Sequence, residues 1–580
     1  MAGEFEVVGT SDEALFTLKI HRGEGMALLA MNWKDDKPPD DFVGFAIEYK
    51  EPDGVKFFGV RNRLCFLTAD GVVNPNTMSS RLSPIQKFRW VHFPRNAELL
   101  GEFVYRVTPV FMNGQDELSY GEAQEAAIEL RRETYPDKLN VAFTRGFVSS
   151  QAFVDHYQPA GDISTLIPAT ADANLGLEFE PTHPKADEAL AWMGFEARSA
   201  ILELLDDAIA DETAQVRVVA YDLNVPQIVE RLEKLGDRLK VIVDDSGTHF
   251  PPDAAETKAA ARLEVSAGKG HVKRQHMGDL QHNKTIVVDG QKVKAAICGS
   301  TNYSWRGLYV QANNALVLRG ANAVKVFRAA FDAYWAHDDV AGFGGTEAAV
   351  FTSPGVDGVD VEIAFSPHVA KNALLDKVAG DIGEQTTSSL FFSLAFLYQT
   401  PGKIRDAIIK LSNDETKFVY GMSDKKVPGL EEADGIDLKK PDRVNPAAVS
   451  PATLKGNVPE PFKSEPDGGG GIRLHHKFVV IDFDKPTGRV YLGSYNFSSA
   501  ADTKNGENLV IVRDRRVAVA YVVEAIRLFD HYEFRLAQKD AEKAQTKLSL
   551  KRPPRKPGEE PWWTKSYDNP RLVRDRELFA

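Results

Sequence analysis

The chain has 580 residues, of which 43% are apolar and 26% are charged, a composition that allows large buried cores and excludes disorder throughout. Its 70 Lys and Arg residues stand against 83 Asp and Glu, which gives a formal net charge of −13. This charge argues against a protein whose whole surface coats nucleic acid or anionic membrane, but it is compatible with a local basic cleft. Because there are only two cysteines, Cys65 and Cys298, a disulfide framework and cysteine-rich zinc modules are excluded.

No segment has the pattern of a secretory signal or a membrane span. The first residues lack a basic region followed by an apolar one, and no apolar run reaches the roughly 18 residues that cross a bilayer. The longest apolar run, Ser389–Tyr398, has the length of a buried strand. The sequence therefore predicts a cytoplasmic protein without a transmembrane segment, and its length predicts about three or four domains.

Residues 1–135 have the pattern of an all-β domain. Asp41–Glu51 and Glu102–Met112 are strong strand candidates, and turn signals separate several shorter ones. Short strands separated by turns predict a β-sandwich. Trp33, the first of these strands and Tyr105–Val107 together resemble a fibronectin type III or immunoglobulin-like module. An unrelated small β domain is the alternative.

After residue 140 the chain repeats one order of elements, over residues 140–345 and again over residues 358–537. Strand, helix and strand at this spacing predict βαβ units with parallel strands, and the repeat predicts two similar α/β halves that pack face to face. Gly342–Gly358 is interpreted as the linker between them, and Gly435–Gly471 as a surface loop in the second half. The predicted elements are Val141–Phe147, Ala186–Ala210, Val216–Leu223, Pro226–Gly236 and Leu239–Ser246, and then Val361–Val369, Ser389–Leu397, Gly402–Ser412 and Lys417–Asp424.

The C-terminal part predicts a helix over Tyr521–Gln538, from its apolar spacing of three and four residues. Residues 538–580 form a charged extension. Within it, Lys551–Lys556 is interpreted as an exposed linker, with contact to phosphates or anionic lipid as the alternative. The aromatic residues of the extension, Trp562, Trp563 and Tyr567, are expected to anchor it to the rest of the protein.

Each half ends in the same pattern, His-x-Lys-x4-Asp followed by Gly-Ser-x-Asn. Two such matches, each closing a copy of the repeat, exclude coincidence. Because side chains two apart on a strand share a face, each His and Lys should enter one pocket together. Metal binding by the histidines is a less favoured alternative. The first copy supplies His282, Lys284, Asp289, Ser300 and Asn302, and the second supplies His475, Lys477, Asp482, Ser494 and Asn496.

These two motifs resemble the phospholipase D superfamily, and the resemblance covers about residues 140–535. It implies a two-step phosphodiester exchange at one site built from both halves, without a metal or another cofactor. One histidine would attack phosphorus to form a phosphohistidine, while the other acts as acid and then as base. By the family's habit the nucleophile is His282 and the acid and base is His475, although the reverse is open.

The resemblance also implies roles for the other motif residues. Both lysines, with Asn302 and Asn496, would hold the non-bridging phosphate oxygens, and the hydroxyls of Ser300 and Ser494 could donate to the same oxygens. Asp289 and Asp482 would have structural or supporting roles in the site. Glu507 stands where the family usually has an acidic residue, and Asn313 is its counterpart in the first half. If these two residues orient the imidazoles, the histidines are not equivalent.

The sequence leaves several functions open. Phospholipase D-type cleavage or exchange of a phospholipid head group is favoured, since both motifs lie in one chain and a monomer is sufficient for one site. The second candidate is a metal-independent nuclease, which the basic stretch Lys269–Arg274 before His282 supports. Cardiolipin-synthase-like transfer and a non-enzymatic scaffold are weaker alternatives. Peripheral membrane contact is compatible with the first reading, although no amphipathic membrane-binding helix is evident.

Overall fold

The computed structural model describes residues 4–68, 71–72, 77–130, 133–146, 153, 156–168, 175–414, 416–423, 427–428, 430, 447–449, 474–543 and 545–580. The expected surface loop Gly435–Gly471 lies outside these residues except for 447–449. The chain divides into two compact units. The β unit contains Met1–Arg132 and Val519–Ala580, and the α/β unit contains Glu133–Asp437 and Asn445–Ala518.

The β unit contains two antiparallel sheets, in the orders β1-β2-β3-β6 and β5-β4-β7-β8, with β9 also paired to β7. Alternate residues of the long strands enter one shared core, as Phe16, Leu18 and Ile20 of β2 do. The all-β prediction is therefore confirmed, while the likeness to a fibronectin type III module stays a prediction. The strands are β1 (Glu6–Val8), β2 (Phe16–Gly23), β3 (Met26–Trp33), β4 (Phe42–Lys50), β5 (Phe58–Gly59), β6 (Arg89–His92), β7 (Glu102–Met112), β8 (Leu118–Tyr120) and β9 (Gln124–Glu129).

The first half of the α/β unit is a seven-stranded mixed sheet with helices packed on it. The strand order is β10-β16-β15-β14-β11-β12-β13, and the pairs β11·β12 and β12·β13 are parallel. Its strands are β10 (Leu139–Phe143), β11 (Gln215–Ala220), β12 (Leu239–Val243), β13 (Val272–Arg274), β14 (Lys284–Asp289), β15 (Lys294–Gly299) and β16 (Asn314–Arg319). Its helices are α1 (Ala186–Ala210), α2 (Pro226–Leu235), α3 (Ala255–Ala267), α4 (Trp305–Tyr309), α5 (Ala321–Ala336) and α6 (Val340–Gly344).

The second half repeats this sheet strand for strand, in the order β17-β23-β22-β21-β18-β19-β20. The predicted pair of similar α/β halves is therefore confirmed. The expected linker is partly structured, because α6 lies at its start. The strands are β17 (Asp360–Ser366), β18 (Ser389–Leu394), β19 (Phe418–Met422), β20 (Ala447–Val449), β21 (Lys477–Ile481), β22 (Arg489–Gly493) and β23 (Glu507–Arg513), and the helices are α7 (Leu375–Gln385), α8 (Lys403–Ser412) and α9 (Ser499–Thr503).

The last helices are α10 (Arg515–Lys543), α11 (Thr564–Asp568) and α12 (Pro570–Phe579). The expected domain boundary at 537 differs from the observed grouping, in which the residues after Ala518 belong to the β unit. Ionic contacts explain this, since Asp530 of α10 accepts hydrogen bonds from Lys87 and Arg89. Trp563 is buried in the β-unit core. Within the described residues, no helix combines the length and the apolar character that a bilayer crossing requires.

The central strands of both sheets position the motif residues. β14 and β21 are mostly buried and apolar after their first residue, Lys284 or Lys477, and each histidine lies two residues before that lysine. The glycine of each Gly-Ser-x-Asn motif ends the neighbouring strand with φ near +140°. A Cβ on Gly493 would lie 2.2 Å from the carbonyl oxygen of Asn508, so only glycine fits there.

Candidate active site

His282 and His475 come from different halves and face each other in one pocket. Their ring centroids are 6.5 Å apart, with an angle of 69° between the ring planes. Both residues are about 95% buried, at 4% and 5% exposure. The two motifs therefore form a single site. Each histidine lies two residues before its strand begins, so the expected shared strand face holds only approximately.

Each lysine of the motifs lies beside its own histidine. Lys284 Nζ donates to the carbonyl oxygen of His282 at 2.5 Å, and Lys477 Nζ donates to that of His475 at 3.0 Å. Lys477 Nζ also lies 3.1 Å from Nε2 of the His475 ring. The aromatic rings of Tyr221 and Phe396 lie under the two ammonium groups, at 4.7 and 5.8 Å from the ring centroids. The pocket thus gathers two cations between aromatic walls.

Burial makes both ammonium groups unusually acidic. It lowers the pKa of Lys284 to about 7, although the carboxylates of Asp222 and Glu507 act in the opposite direction. Burial and the charge of Lys284 lower the pKa of Lys477 well below its ordinary value. An anion bound between the lysines would favour their charged forms and reverse these shifts. The pocket is therefore electrostatically suited to an anionic group such as a phosphodiester.

Each imidazole is oriented by a side chain of the other half. Nδ1 of His475 lies 2.8 Å from Oδ1 of Asn313, and Nδ1 of His282 lies 3.3 Å from Oε1 of Glu507. Because both partners are acceptors, the ring proton belongs on Nδ1 in each histidine. Nε2 of His282 is then left for chemistry, while Nε2 of His475 lies 3.1 Å from Lys477 Nζ. Asn313 and Glu507 therefore lie where the sequence placed them, in contact with the histidines, but across the interface between the halves.

The surroundings of the two imidazoles are unequal. Burial and the charge of Lys284 lower the pKa of His282 to about 4, while the Glu507 carboxylate acts to raise it. Burial, followed by the charges of Lys477 and Lys284, lowers the pKa of His475 well below its ordinary value. His282 thus has a carboxylate that can stabilise its cationic form, whereas His475 has a neutral amide. This difference separates the possible roles of the two rings.

A second pair of contacts between the halves was not predicted from the sequence. Asn508 Nδ2 donates to Oδ1 of Asn283 at 2.8 Å, and Asn314 Nδ2 lies 3.3 Å from Nδ1 of His476. Asn283 and His476 are the middle residues of the two His-x-Lys motifs. Asn314 and Asn508 directly follow Asn313 and Glu507. Their equivalent positions in the repeat are the signal that could have pointed to them.

The two motif serines differ in how their hydroxyls are engaged. Ser300 Oγ donates to Oδ1 of Asn313 at 2.8 Å and accepts from the backbone N–H of Asn314, so its hydrogen is used within the protein. Ser494 Oγ accepts from the backbone and side-chain N–H groups of Asn508. Donation from Ser494 to a phosphate oxygen stays a prediction.

The two motif asparagines, unlike the serines, each have a buried side-chain oxygen that forms no hydrogen bond with the described residues. These oxygens are the Oδ1 atoms of Asn302 and Asn496. The backbone N–H of Asn496 donates to Glu507 at 3.0 Å. Contact between these two side chains and a phosphate group stays a prediction.

The two motif aspartates are not brought to the histidines. Asp289 is the last residue of β14, about 17 Å along the strand from Lys284, and accepts from Lys294 and Arg328. Asp482 is fully buried and accepts from the backbone N–H groups of Thr387, Ser388 and Ser389. Both contacts are structural. The structure therefore supports the structural role and not a place in the pocket.

Comparison with known proteins identifies the same part of the chain. A family model described as "Cardiolipin synthase, PLD-like domain" matches residues 205–335 and 388–529. Over 48 residues the chain is 44% identical to the phospholipase D of Rickettsia felis, an overlap of 8% of this chain and 22% of that protein. The chain thus spans about a fifth of the length of the curated relatives it matches.

Two solved structures give a wider but more distant overlap. The phosphatidylserine synthase of Haemophilus influenzae matches 61% of this chain and 92% of its own, at 13% identity and a TM-score of 0.40. NucT from Helicobacter pylori matches 30% of this chain and 97% of its own, at 17% identity and a TM-score of 0.21. From the matched family model and the doubled motif, the chain belongs over residues 205–335 and 388–529 to the phospholipase D-like family.

Proposed function

We propose that this protein is a phospholipase D-type phosphodiesterase that cleaves or exchanges a phospholipid head group through a phosphohistidine. The observation that carries the proposal is the pair of buried imidazoles, His282 and His475, facing each other at 6.5 Å. Each has its Nδ1 directed at an acceptor from the other half. A bound phosphate would draw Lys477 Nζ away from Nε2 of His475, 3.1 Å from it, so that both Nε2 atoms can act on a phosphorus atom held between them.

In the first step, Nε2 of His282 attacks phosphorus, and the bond from phosphorus to the leaving alcohol breaks. His282 is the better nucleophile because its Nδ1–H faces the Glu507 carboxylate, which stabilises the positive ring that forms. His475, protonated in the presence of the anionic substrate, gives its Nε2 proton to the alcohol oxygen. The products are a phosphohistidine at residue 282, a neutral His475 and the free alcohol.

In the second step, water or another alcohol attacks the phosphohistidine from the side that the first alcohol left. Neutral His475 takes the proton of the incoming nucleophile, and the bond between phosphorus and His282 breaks. Water gives hydrolysis and a second alcohol gives transfer. Lys284 and Lys477 offset the charge that develops on the phosphate oxygens in both steps, which requires no metal.

Two observations favour a phospholipid over a nucleic acid. The net charge of −13 opposes binding of a polyanion along the surface. The basic stretch before His282 is also largely engaged within the protein. Lys273 Nζ lies 2.6 Å from Asp338, and Arg274 donates to the backbone oxygens of Asp244 and His249. Lys273 and Arg274, whose positive charge would support the nuclease, are therefore already engaged in contacts within the protein.

The substrate class is tested by product analysis with mass spectrometry. The purified protein is given mixed phospholipid vesicles, plasmid DNA and single-stranded DNA in one reaction, with and without EDTA. We expect phosphatidic acid and free head group, or a new phosphatidyl alcohol when a primary alcohol is added. Cut DNA with intact lipid would replace the proposal by the nuclease. His282→Ala is the control for contaminating activities.

The assignment of the two histidines is tested by trapping the intermediate. A phosphodiester with a nitrophenol leaving group needs no acid in the first step, so His475→Ala should still release about one equivalent of nitrophenol per protein. Turnover should then stop, and peptide mapping in alkali should find the phosphoryl group on His282. The same burst from His282→Ala, with the group on His475, would reverse the assignment.

A further inference from the structure

A second cluster of titratable side chains lies beside the pocket, at the ends of the parallel strands β11 and β12. Asp222 follows β11, His249 lies in the loop after β12, and Glu256 lies in the first turn of α3. The side chains of Asp222 and His249 are 19% and 10% exposed, and Glu256 is 5% exposed. The ring of Tyr221 separates this cluster from the catalytic ring of His282, at 4.7 Å from His249 and from His282.

Each of the three side chains has one polar atom fixed by a neighbour outside the cluster. Asp244, which is fully buried, lies 2.7 Å from Nδ1 of His249. Ser304 Oγ donates to Oδ2 of Asp222 at 3.1 Å. The backbone N–H of Leu223 donates to Oε1 of Glu256 at 3.0 Å.

The remaining polar atoms of the three side chains converge. One ligand atom of each lies within 4.8 Å of the other two, and Nε2 of His249 is 3.3 Å from Oδ1 of Asp222. Against the opposing effect of burial, contacts with Asp222 and Asp244 raise the pKa of His249 to about 10, so a cation would have to displace the Nε2 proton. Nε2 is then an acceptor, like both carboxylate oxygens. A proton can bridge one pair of these acceptors. A metal cation can satisfy all three at once.

We propose that Asp222, His249 and Glu256 bind one divalent cation, of the class for which Zn²⁺ is the probe. One imidazole with two carboxylates suits zinc and related cations. In a tetrahedral site with bonds of about 2.1 Å, the ligand atoms are about 3.4 Å apart, which the 3.3 Å between His249 and Asp222 matches. A ligand atom of Glu256 lies within 4.8 Å of both. The contact of Asp244 with the far nitrogen of His249 is the outer partner that metal-bound histidines usually have.

The cation would join four segments of the first half that meet beside the pocket. These are the ends of β11 and β12, the start of α3 and, through Ser304, the cap of α4. It would stabilise this wall and the position of Tyr221, and it takes no part in the phosphoryl transfer proposed above. The two proposals are independent, because cation binding is measured without turnover.

The test is metal binding by the full-length protein without a histidine tag. After EDTA treatment and desalting, the protein is exposed to micromolar ZnSO4, desalted again and analysed for zinc by mass spectrometry. We expect one equivalent more zinc in the wild type than in His249→Ala. The melting temperature of the wild type should also rise with added zinc, while that of the variant should not.

Two further variants make the result decisive. Glu256→Gln keeps the oxygen that accepts from Leu223, so it should fold normally and still lose the zinc. His276→Ala is the matched control, because His276 also contacts an aspartate, Asp245 at 2.7 Å, but lies outside the cluster. It should keep the zinc. Equal zinc content in the wild type and Glu256→Gln would overturn the proposal.

Discussion

Lys284 and Lys477 are each about 99% buried, and the Glu507 carboxylate lies beside His282. The two lysines are costly to bury, because a buried ammonium ion loses its hydration without a matching partner. The lowered pKa of Lys284 expresses this cost. A bound substrate anion would offset this cost. The buried lysines therefore lower the folding stability of the protein and raise its affinity for a phosphate group.

We therefore expect Lys284→Met to stabilise the protein near neutral pH while it abolishes activity. The pKa of Lys284 falls from 10.5 to about 7 on folding, mainly through burial. Between these values the unfolded chain binds more protons than the folded one, so this lysine makes stability rise with pH over that range. The variant should lose this slope and gain of the order of a few kcal/mol at pH 7.

Urea unfolding at pH 7 and pH 9 measures the stability part of this prediction, and kcat measures the activity part. Lys294→Met is the matched control, since Lys294 is 40% exposed and pairs with Asp289 at the far end of β14. Its stability should change little. A Lys284→Met protein that is less stable than the wild type at pH 7 would show that the buried charge is not a cost.

At the scale of elements, the site depends on contacts between the halves, to which each half contributes one loop and the start of one strand. The segment before β14 contacts the start of β23, through Asn283 and Asn508, and the segment before β21 contacts the start of β16, through His476 and Asn314. These contacts adjoin the ones that orient the catalytic rings. They therefore help to fix the position of each half against the histidine of the other half.

We expect Asn283→Ala and Asn508→Ala each to destabilise the protein by about 1–3 kcal/mol, because each leaves a buried amide group unpaired. The double variant should lose less than the sum, by roughly 0.5–3 kcal/mol. Thermal or urea unfolding of the four proteins gives this coupling, and kcat should fall in both single variants. Asn413→Ala, at an exposed helix end, is the control with an expected effect near zero. Strictly additive losses would contradict the role assigned to the pair.

Many of the helices and strands could be predicted from the sequence. The strands and helices of the repeat follow from local patterns, and Ser389–Leu394 is the buried strand that its apolar run predicts. Which ring each of Asn313 and Glu507 contacts was not accessible. Glu507 is 225 residues from His282, and their contact depends on how two sheets pack, about which spacing along the chain says nothing. The bond from the Ser300 hydroxyl to Asn313, which directly precedes the neighbouring strand β16, was not accessible for the same reason.

At the scale of the whole molecule, one chain carries both halves of the site. His282 needs Glu507 and His475 needs Asn313, and all four lie in the α/β unit. The pocket is closed by contacts within a single polypeptide. Within the described residues, both histidines and their partners come from one chain, so we expect the proposed activity to belong to the monomer.

We expect that mixing His282→Ala with His475→Ala does not restore activity. An active site shared between two chains would regain up to about a quarter to a half of its sites in such a mixture, because some assemblies would pair the intact histidines. Here each protein keeps its own defective site, and activity should stay at the level of the separate variants.

The measurement is head-group release at micromolar concentrations after co-incubation, and after co-refolding from urea. Dilution of the wild type, over a range in which light scattering shows its mass, should leave its specific activity constant. Recovery in the co-refolded sample alone would mean that halves of different chains can exchange.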